Sequence, residues 1–189
     1  MERLSMPQSP GHRGGAEVLN VIIERVKRAV TLSPGVYQEI GNDPQATTQA
    51  IIVAAVAALI GGLGALFGGR FGGWILTPIY AVVGLAIGTA VLFVLSRMFK
   101  GQGTYIQLFR GLGFATAPQA LGLIPIIGGI VGGIWSLLLA IRAVKETQQV
   151  TDGAAVAIVL IPAAIIGVLV FLLLVVLSIA IFGAAAASS

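Results

Sequence analysis

Cysteine is absent from this 189-residue chain, histidine occurs once, and charged residues make up only 10% of it. Without cysteine there is no disulfide framework, no thiolate nucleophile and no thiolate metal site. His12 alone cannot build a metal or catalytic cluster, and its setting in a polar, Gly- and Pro-rich stretch is that of a solvated tail residue. The scarcity of charge excludes most. A soluble domain carries about 25% charged residues, so this chain could not cover a globular surface.

What is present instead is apolar: 57% hydrophobic residues, 26 glycines and a mean hydropathy of +1.01. These values describe an all-α integral membrane protein with room for about four to six spans. A net charge of +4 and a pI near 10.0 would suggest nucleic acid in a soluble protein. Here residues 1–49 are neutral, and the later bases stand singly at the ends of apolar runs, as membrane flanks do. Nucleic acid is not an expected partner.

Residues 1–15 lack the apolar core of a signal peptide and are expected to form a disordered tail. In Ala16–Thr31, Val18, Leu19, Ile22, Val26, Ala29 and Val30 recur at helical spacing, with Glu24, Lys27 and Arg28 mostly opposite. This short amphipathic helix is read as lying in the headgroup layer, its bases toward anionic lipid; the alternative is packing on the bundle. With the linker it occupies 16–47, cytosolic or interfacial. The membrane domain, 48–183, holds five candidate spans: Thr48–Gly69, Trp74–Ser96, Thr104–Ile124, Ile126–Ile141 and Ala154–Phe182. Residues 184–189 are left as a short tail. The third span is the weakest, carrying Gln107, Arg110, Pro118 and Gln119.

Charge decides the orientation. With five crossings and a cytosolic amino terminus, Arg3, Arg13, Arg25, Lys27, Arg28, Arg97, Lys100, Arg142 and Lys145 are all inside, Arg110 lies near the inner face, and Arg70 alone is outside. The positive-inside rule favours that arrangement. Removing the third span would move Arg142 and Lys145 outside, so parity supports it.

Small residues recur four apart at Gly64/Gly68, Gly84/Gly88, Gly111/Ala115, Gly113/Ala117, Gly128/Gly132 and Gly129/Gly133. In lipid, such pairs let helix backbones approach closely; internal packing is the favoured reading, a homo-oligomer face the other. The Gly-rich runs lack the Gly-Lys-Ser/Thr of a phosphate loop. No acidic residue lies inside a span, which argues against a proton- or cation-coupled carrier. No catalytic constellation, metal site or cofactor is expected, and the chain is read as no enzyme.

Arg110 is the one base within a candidate span. An intramembrane charge costs about 2.5–3.5 kcal/mol on insertion scales, so either it snorkels to the inner headgroups or it grips a buried partner or a lipid phosphate. Gln107 and Gln119 are the nearest groups able to join it in a polar groove or lipid contact, and Pro118 and Pro125 free backbone carbonyls at membrane depth.

TYIQLFRGLGFATAPQALGLIP, then GGIVGGIWSLLLAIRAVKET, then a loop and a proline-broken final span, resemble the Yip-one domain family. The likeness covers about Thr31–Phe182, including the entry PGVYQEIGNDPQA. That family comprises multi-span membrane proteins named for interacting with Ypt/Rab small GTPases, with a large prokaryotic branch. The resemblance implies five spans and a cytosolic amino terminus, and it carries over Tyr105, Arg110, Gly113, Pro118, Pro125, Trp135 and Lys145 as structural hallmarks. Eukaryotic members have a longer tail with an acidic, tyrosine-containing motif; PGVYQEI is a faint echo of it, so a prokaryotic plasma-membrane protein is implied. The expected role is a non-enzymatic membrane organiser or adaptor, with lipids and cytosolic-face proteins as partners. The alternative is a small transporter, channel or lipid-translocating protein built around the broken third helix.

Overall fold

The computed structural model describes residues 15–64 and 74–187, with side chains over 15–64 and 75–180. Of the tail expected at 1–15, Gly15 instead opens the first helix, while residues 1–14 and the turn around Arg70 lie outside the described residues. Among the described residues seven α-helices follow in order: α1 (Gly15–Val30), α2 (Val36–Asn42), α3 (Ala46–Leu63), α4 (Thr77–Met98), α5 (Tyr105–Ala115), α6 (Ile127–Gln148) and α7 (Asp152–Ala187). Short 3-10 segments occupy Trp74–Leu76 and Ala117–Leu123, and no strand occurs among the described residues. Within them, α3, α4, α6 and α7 are long and apolar enough to cross a membrane.

The third apolar segment is not one continuous helix. It runs as α5, stops at Thr116, and resumes as a 3-10 segment with Pro118 in its first turn, where the missing N–H costs least. Eleven residues at 1.5 Å and seven at about 2.0 Å together reach about 30 Å. The path follows α3 throughout. Gln107 bonds to Asn42 just before α3, Gly113 lies on Ala50, and Gln119 and Gly122 lie on Gly61 and Gly64 at its far end.

Glycine makes this layering feasible. A Cβ on Gly61 would stand 2.5 Å from the Gln119 carbonyl oxygen, and one on Gly132 2.5 Å from that of Pro118. Gly64 and Gly128 meet the carbonyls of Gly122 and Leu121 in the same way. The 3-10 backbone is therefore pressed between α3 and α6, and these glycines pack internally, as expected. Gly84, Gly88, Gly129 and Gly133 instead face open space. Between the 3-10 segment and α6 the chain reverses at Ile126 (φ 66°, ψ −69°), where the Ile127 N–H donates to the Pro125 carbonyl at 2.8 Å. That geometry is the strained γ-turn.

The core gathers Tyr37, Ile40, Leu108, Phe114, Leu139 and Ile158. One face of α1 enters it through Ile22 and Ala29, while Leu19 and Ile23 stay exposed at 57% and 50%. The first helix thus packs on the bundle along one stripe and leaves a second apolar stripe free. In α7, Ala155, Ile158 and Val159 are buried, but the large apolar side chains from Ile165 to Ile179 are exposed. The helix passes Pro162 without ending and continues to Ala187, beyond residue 183 where the membrane domain was expected to close.

Candidate functional site

Polar side chains converge where α2, the 99–104 turn and the α6–α7 loop meet. Local sequence builds each piece. Thr104-x-x-Gln107 is a capping box: the Gln107 N–H donates to Thr104 Oγ1 at 3.3 Å, and the Thr104 N–H donates to Gln107 Oε1 at 2.7 Å. The other end of the Gln107 amide donates to Asn42 Oδ1 at 2.7 Å, so one side chain both starts α5 and ties it to α2.

Arg110, one and a half turns into α5, donates from Nε to Thr47 Oγ1 at 2.8 Å and from a terminal nitrogen to the Gly41 carbonyl at 2.7 Å. The Gly41 carbonyl lies in the last turn of α2, where backbone acceptors lack intrahelical donors. Both bonds are part-buried and run to the same chain, at the end of α2 and the start of α3.

Arg25 extends the clamp to α1. It meets Asp43 at 2.6 Å and donates to Gln49 Oε1 at 2.7 Å, while Arg28 pairs with Glu39 at 2.8 Å. Across the bundle, the Tyr37 N–H donates to Glu146 at 3.0 Å. Burial, and after it the Glu146 charge, push the Tyr37 hydroxyl above its ordinary range. At the other corner, Gln148 accepts from Ser96 Oγ at 3.1 Å and donates to the Thr104 carbonyl at 3.2 Å. Arg97 donates to the carbonyls of Gly101 and Gly103 and lies 4.6 Å over the Phe93 ring. A polar cavity of about 90 Å³, lined by Gln38, Asn42, Gln102, Gln107 and Glu146 among others, opens between these groups.

The remaining sequence candidates are spread more widely. The Tyr105 hydroxyl donates to the Ala86 carbonyl at 3.0 Å, and its ring stacks on Phe109 and meets Phe93 edge-on. Trp135 Nε1 donates to the Val30 carbonyl at 3.1 Å, holding the end of α1. Lys145 pairs with Asp152 at 2.6 Å across the α6–α7 loop. Pro118 is buried in the 3-10 segment, and Pro125 precedes the γ-turn. Gln119 lies apart from Gln107 and Arg110, beside a second cavity between α4, α5 and α6. Among the described residues Gln107 borders the polar cavity and Gln119 the second one. Arg25, Asp43, Gln49 and Gln148 were not singled out from sequence as site residues; only the Thr104/Gln107 capping box has a local signature that could have been read. Among the described residues no group of three His, Asp or Glu side chains could hold a metal ion.

Asp43 gives the clamp an acid limit. Burial raises its carboxyl, but hydrogen bonds from the Gln45 N–H and Arg25, with the charges of Arg25 and Arg110, outweigh that and hold it below 3.8. A lowered folded value means the stabilisation is complete above the unfolded value and is lost as pH falls through the folded one. Thermal unfolding in nanodiscs should therefore show a steeper acid loss for the wild type than for Asp43→Asn below about pH 3.8. At neutral pH the Asn variant should be weaker by about 1–3 kcal/mol. Identical acid profiles would remove Asp43 from the clamp.

The geometry is that of a helical bundle stitched at one end by arginines, amides and backbone carbonyls. The model of the Yip1 domain matches residues 28–187. No curated protein and no solved structure matches the chain. The matched stretch takes in α2 through α7 and every residue of the clamp except Arg25; the chain belongs to the Yip1 domain family.

Proposed function

We propose that this Yip1 family membrane protein is a non-enzymatic organiser or adaptor that crosses the membrane five times, amino terminus in the cytosol and carboxyl terminus outside. The fifth crossing is α5 with its 3-10 extension, which follows α3 from end to end and reaches about 30 Å. Five crossings keep Arg25, Arg28, Arg97 and Lys145 on one side, in accord with the positive-inside rule. In this reading the exposed pair Leu19 and Ile23, with Lys27 one turn on, dips α1 into the inner headgroup layer of a plasma membrane.

One observation carries the reading. The long-range side-chain bonds of Arg25, Arg110, Glu146 and Gln148 knit a single polar platform at the cytosolic end. Gln107 and Arg110, the polar groups that a translocation path through the third span would use, are instead tied to Asn42, Thr47 and Gly41. A rigid platform suits docking rather than conduction.

Two measurements test this. Reporters should place the 149–151 loop inside and the carboxyl terminus outside; the same side for both would overturn the five-span arrangement. A photo-crosslinker at Gln102 or Gln149 should capture protein, while one at Ile79, exposed on α4, should capture lipid. Ion flux or lipid scrambling well above protein-free vesicles after reconstitution would replace the organiser with the translocating alternative.

A further inference from the structure

Halfway through the bundle, α4 and α6 stand apart although each carries a Gly-x-x-x-Gly stripe. Gly88 and Gly133 border the gap between them, and a Cβ on either would meet nothing within 4 Å. The gap is a cavity of about 250 Å³ that opens on the bundle surface past these two exposed glycines. Leu85, Leu92, Leu112 and Leu137 supply apolar wall, and no charged residue lines it.

Four polar side chains nevertheless border it: Thr89, Thr116, Gln119 and Ser136. Two are internally satisfied, with Thr89 donating to the Leu85 carbonyl at 2.6 Å and Thr116 to that of Gly113 at 2.7 Å. Each keeps a lone pair free to accept. Ser136 differs from Thr89, Thr147 and Ser178, which all donate to the carbonyl four residues back: its Oγ is enclosed and has no partner. The Gln119 amide also makes no hydrogen bond among the described residues. Thr89 and Ser136 lie near the middles of α4 and α6. The unpaired Ser136 hydroxyl is costly at that depth, where lipid tails offer no donors or acceptors, and Gln119, exposed beside the cavity, is open to a ligand.

Size separates the occupants. One turn of helix, 5.4 Å long and at least 10 Å across, fills about 420 Å³, more than the gap holds. The gap exceeds the roughly 150 Å³ that holds a benzene ring, which admits a length of hydrocarbon chain. The absence of lining charge turns away phosphates and carboxylates. We infer that this cavity binds a neutral lipid, a hydrocarbon chain bearing an uncharged hydroxyl or carbonyl group, with the Gln119 amide as its hydrogen-bond partner. Such a site goes beyond the organiser role and makes the bundle responsive to the neutral lipid content of its membrane.

The test uses the full chain in phosphatidylcholine nanodiscs with two photoactivatable probes of equal length, hexadecanol and hexadecane each carrying a diazirine. The alcohol should label peptides around Gly88 and Gly133 about fivefold more strongly than the alkane, the discrimination one neutral hydrogen bond supplies. Unlabelled hexadecanol should compete and palmitate should not. Gln119→Leu should reduce alcohol labelling to the alkane level. Gly133→Leu or Gly88→Leu, placed in open space, should block both probes without lowering the unfolding temperature. Equal labelling by alcohol and alkane would overturn recognition of the polar group. Labelling undiminished in both glycine variants would overturn the cavity as the site.

Discussion

Arg110→Leu should cost the folded chain about 2–4 kcal/mol, and Arg110→Lys most of the same amount. The guanidinium satisfies two acceptors at once, the Gly41 carbonyl and the Thr47 hydroxyl, on two different helices' ends. Hydrogen bonds to a charged group contribute about 1.5–3 kcal/mol each, and a stranded acceptor adds its own desolvation cost. Lysine brings the charge but not the planar fork, so it cannot reach both. Arg142→Leu, at an exposed position on α6, should do little. Thermal unfolding in nanodiscs of the three variants checks this. Lysine behaving as arginine would return Arg110 to a simple headgroup anchor.

Two glycines three residues apart should respond with opposite signs. Gly132→Ala sets a methyl group 2.5 Å from the Pro118 carbonyl oxygen, an atom of backbone that cannot swing aside. The 3-10 segment would have to leave its place between α3 and α6, and overpacking of this kind costs about 1–3 kcal/mol or more. Loss of monodisperse protein in detergent is the expected readout. Gly129→Ala meets nothing within 4 Å and should stabilise α6 by about 0.5–1 kcal/mol, the helix preference of alanine over glycine. A tolerated Gly132→Ala would mean that the 3-10 segment is not held there.

The long apolar runs were legible because membrane crossing is set by length and hydropathy: α4 falls within three residues of its expected span, while α6 and α7 begin within two residues of theirs but run seven and five residues further, to Gln148 and Ala187. The stop at Thr116 was not. Pro118 marked a break, but a proline opens a 3-10 segment as readily as it kinks a helix. Spacing announced both Gly128/Gly132 and Gly129/Gly133, and nothing in the spacing says which pair meets a backbone, because that depends on the rotation of α6 against a segment in another part of the chain. Arg110 illustrates the same limit. Its charge and depth drew attention, yet its partners lie 63 and 69 residues earlier, at positions whose local sequence is unremarkable. Gln107 was noticed for polarity, while the capping box it forms with Thr104 is local and could have been read directly.

The long sequence separations in the clamp also set a timetable. At about 5–20 residues per second of synthesis, the Gly41 carbonyl and Thr47 hydroxyl wait about 3–14 s for Arg110, 69 residues later for the first of them, to leave the ribosome. Glu146, 109 residues after Tyr37, arrives later still. In that interval α1 and α2 already possess the partners they need for each other: Arg25 with Asp43, and Arg28 with Glu39. This ion-paired hairpin has its own partners in hand before α5 is made. It then stands as a preassembled receptor for α5, whose arginine meets its acceptors already in place.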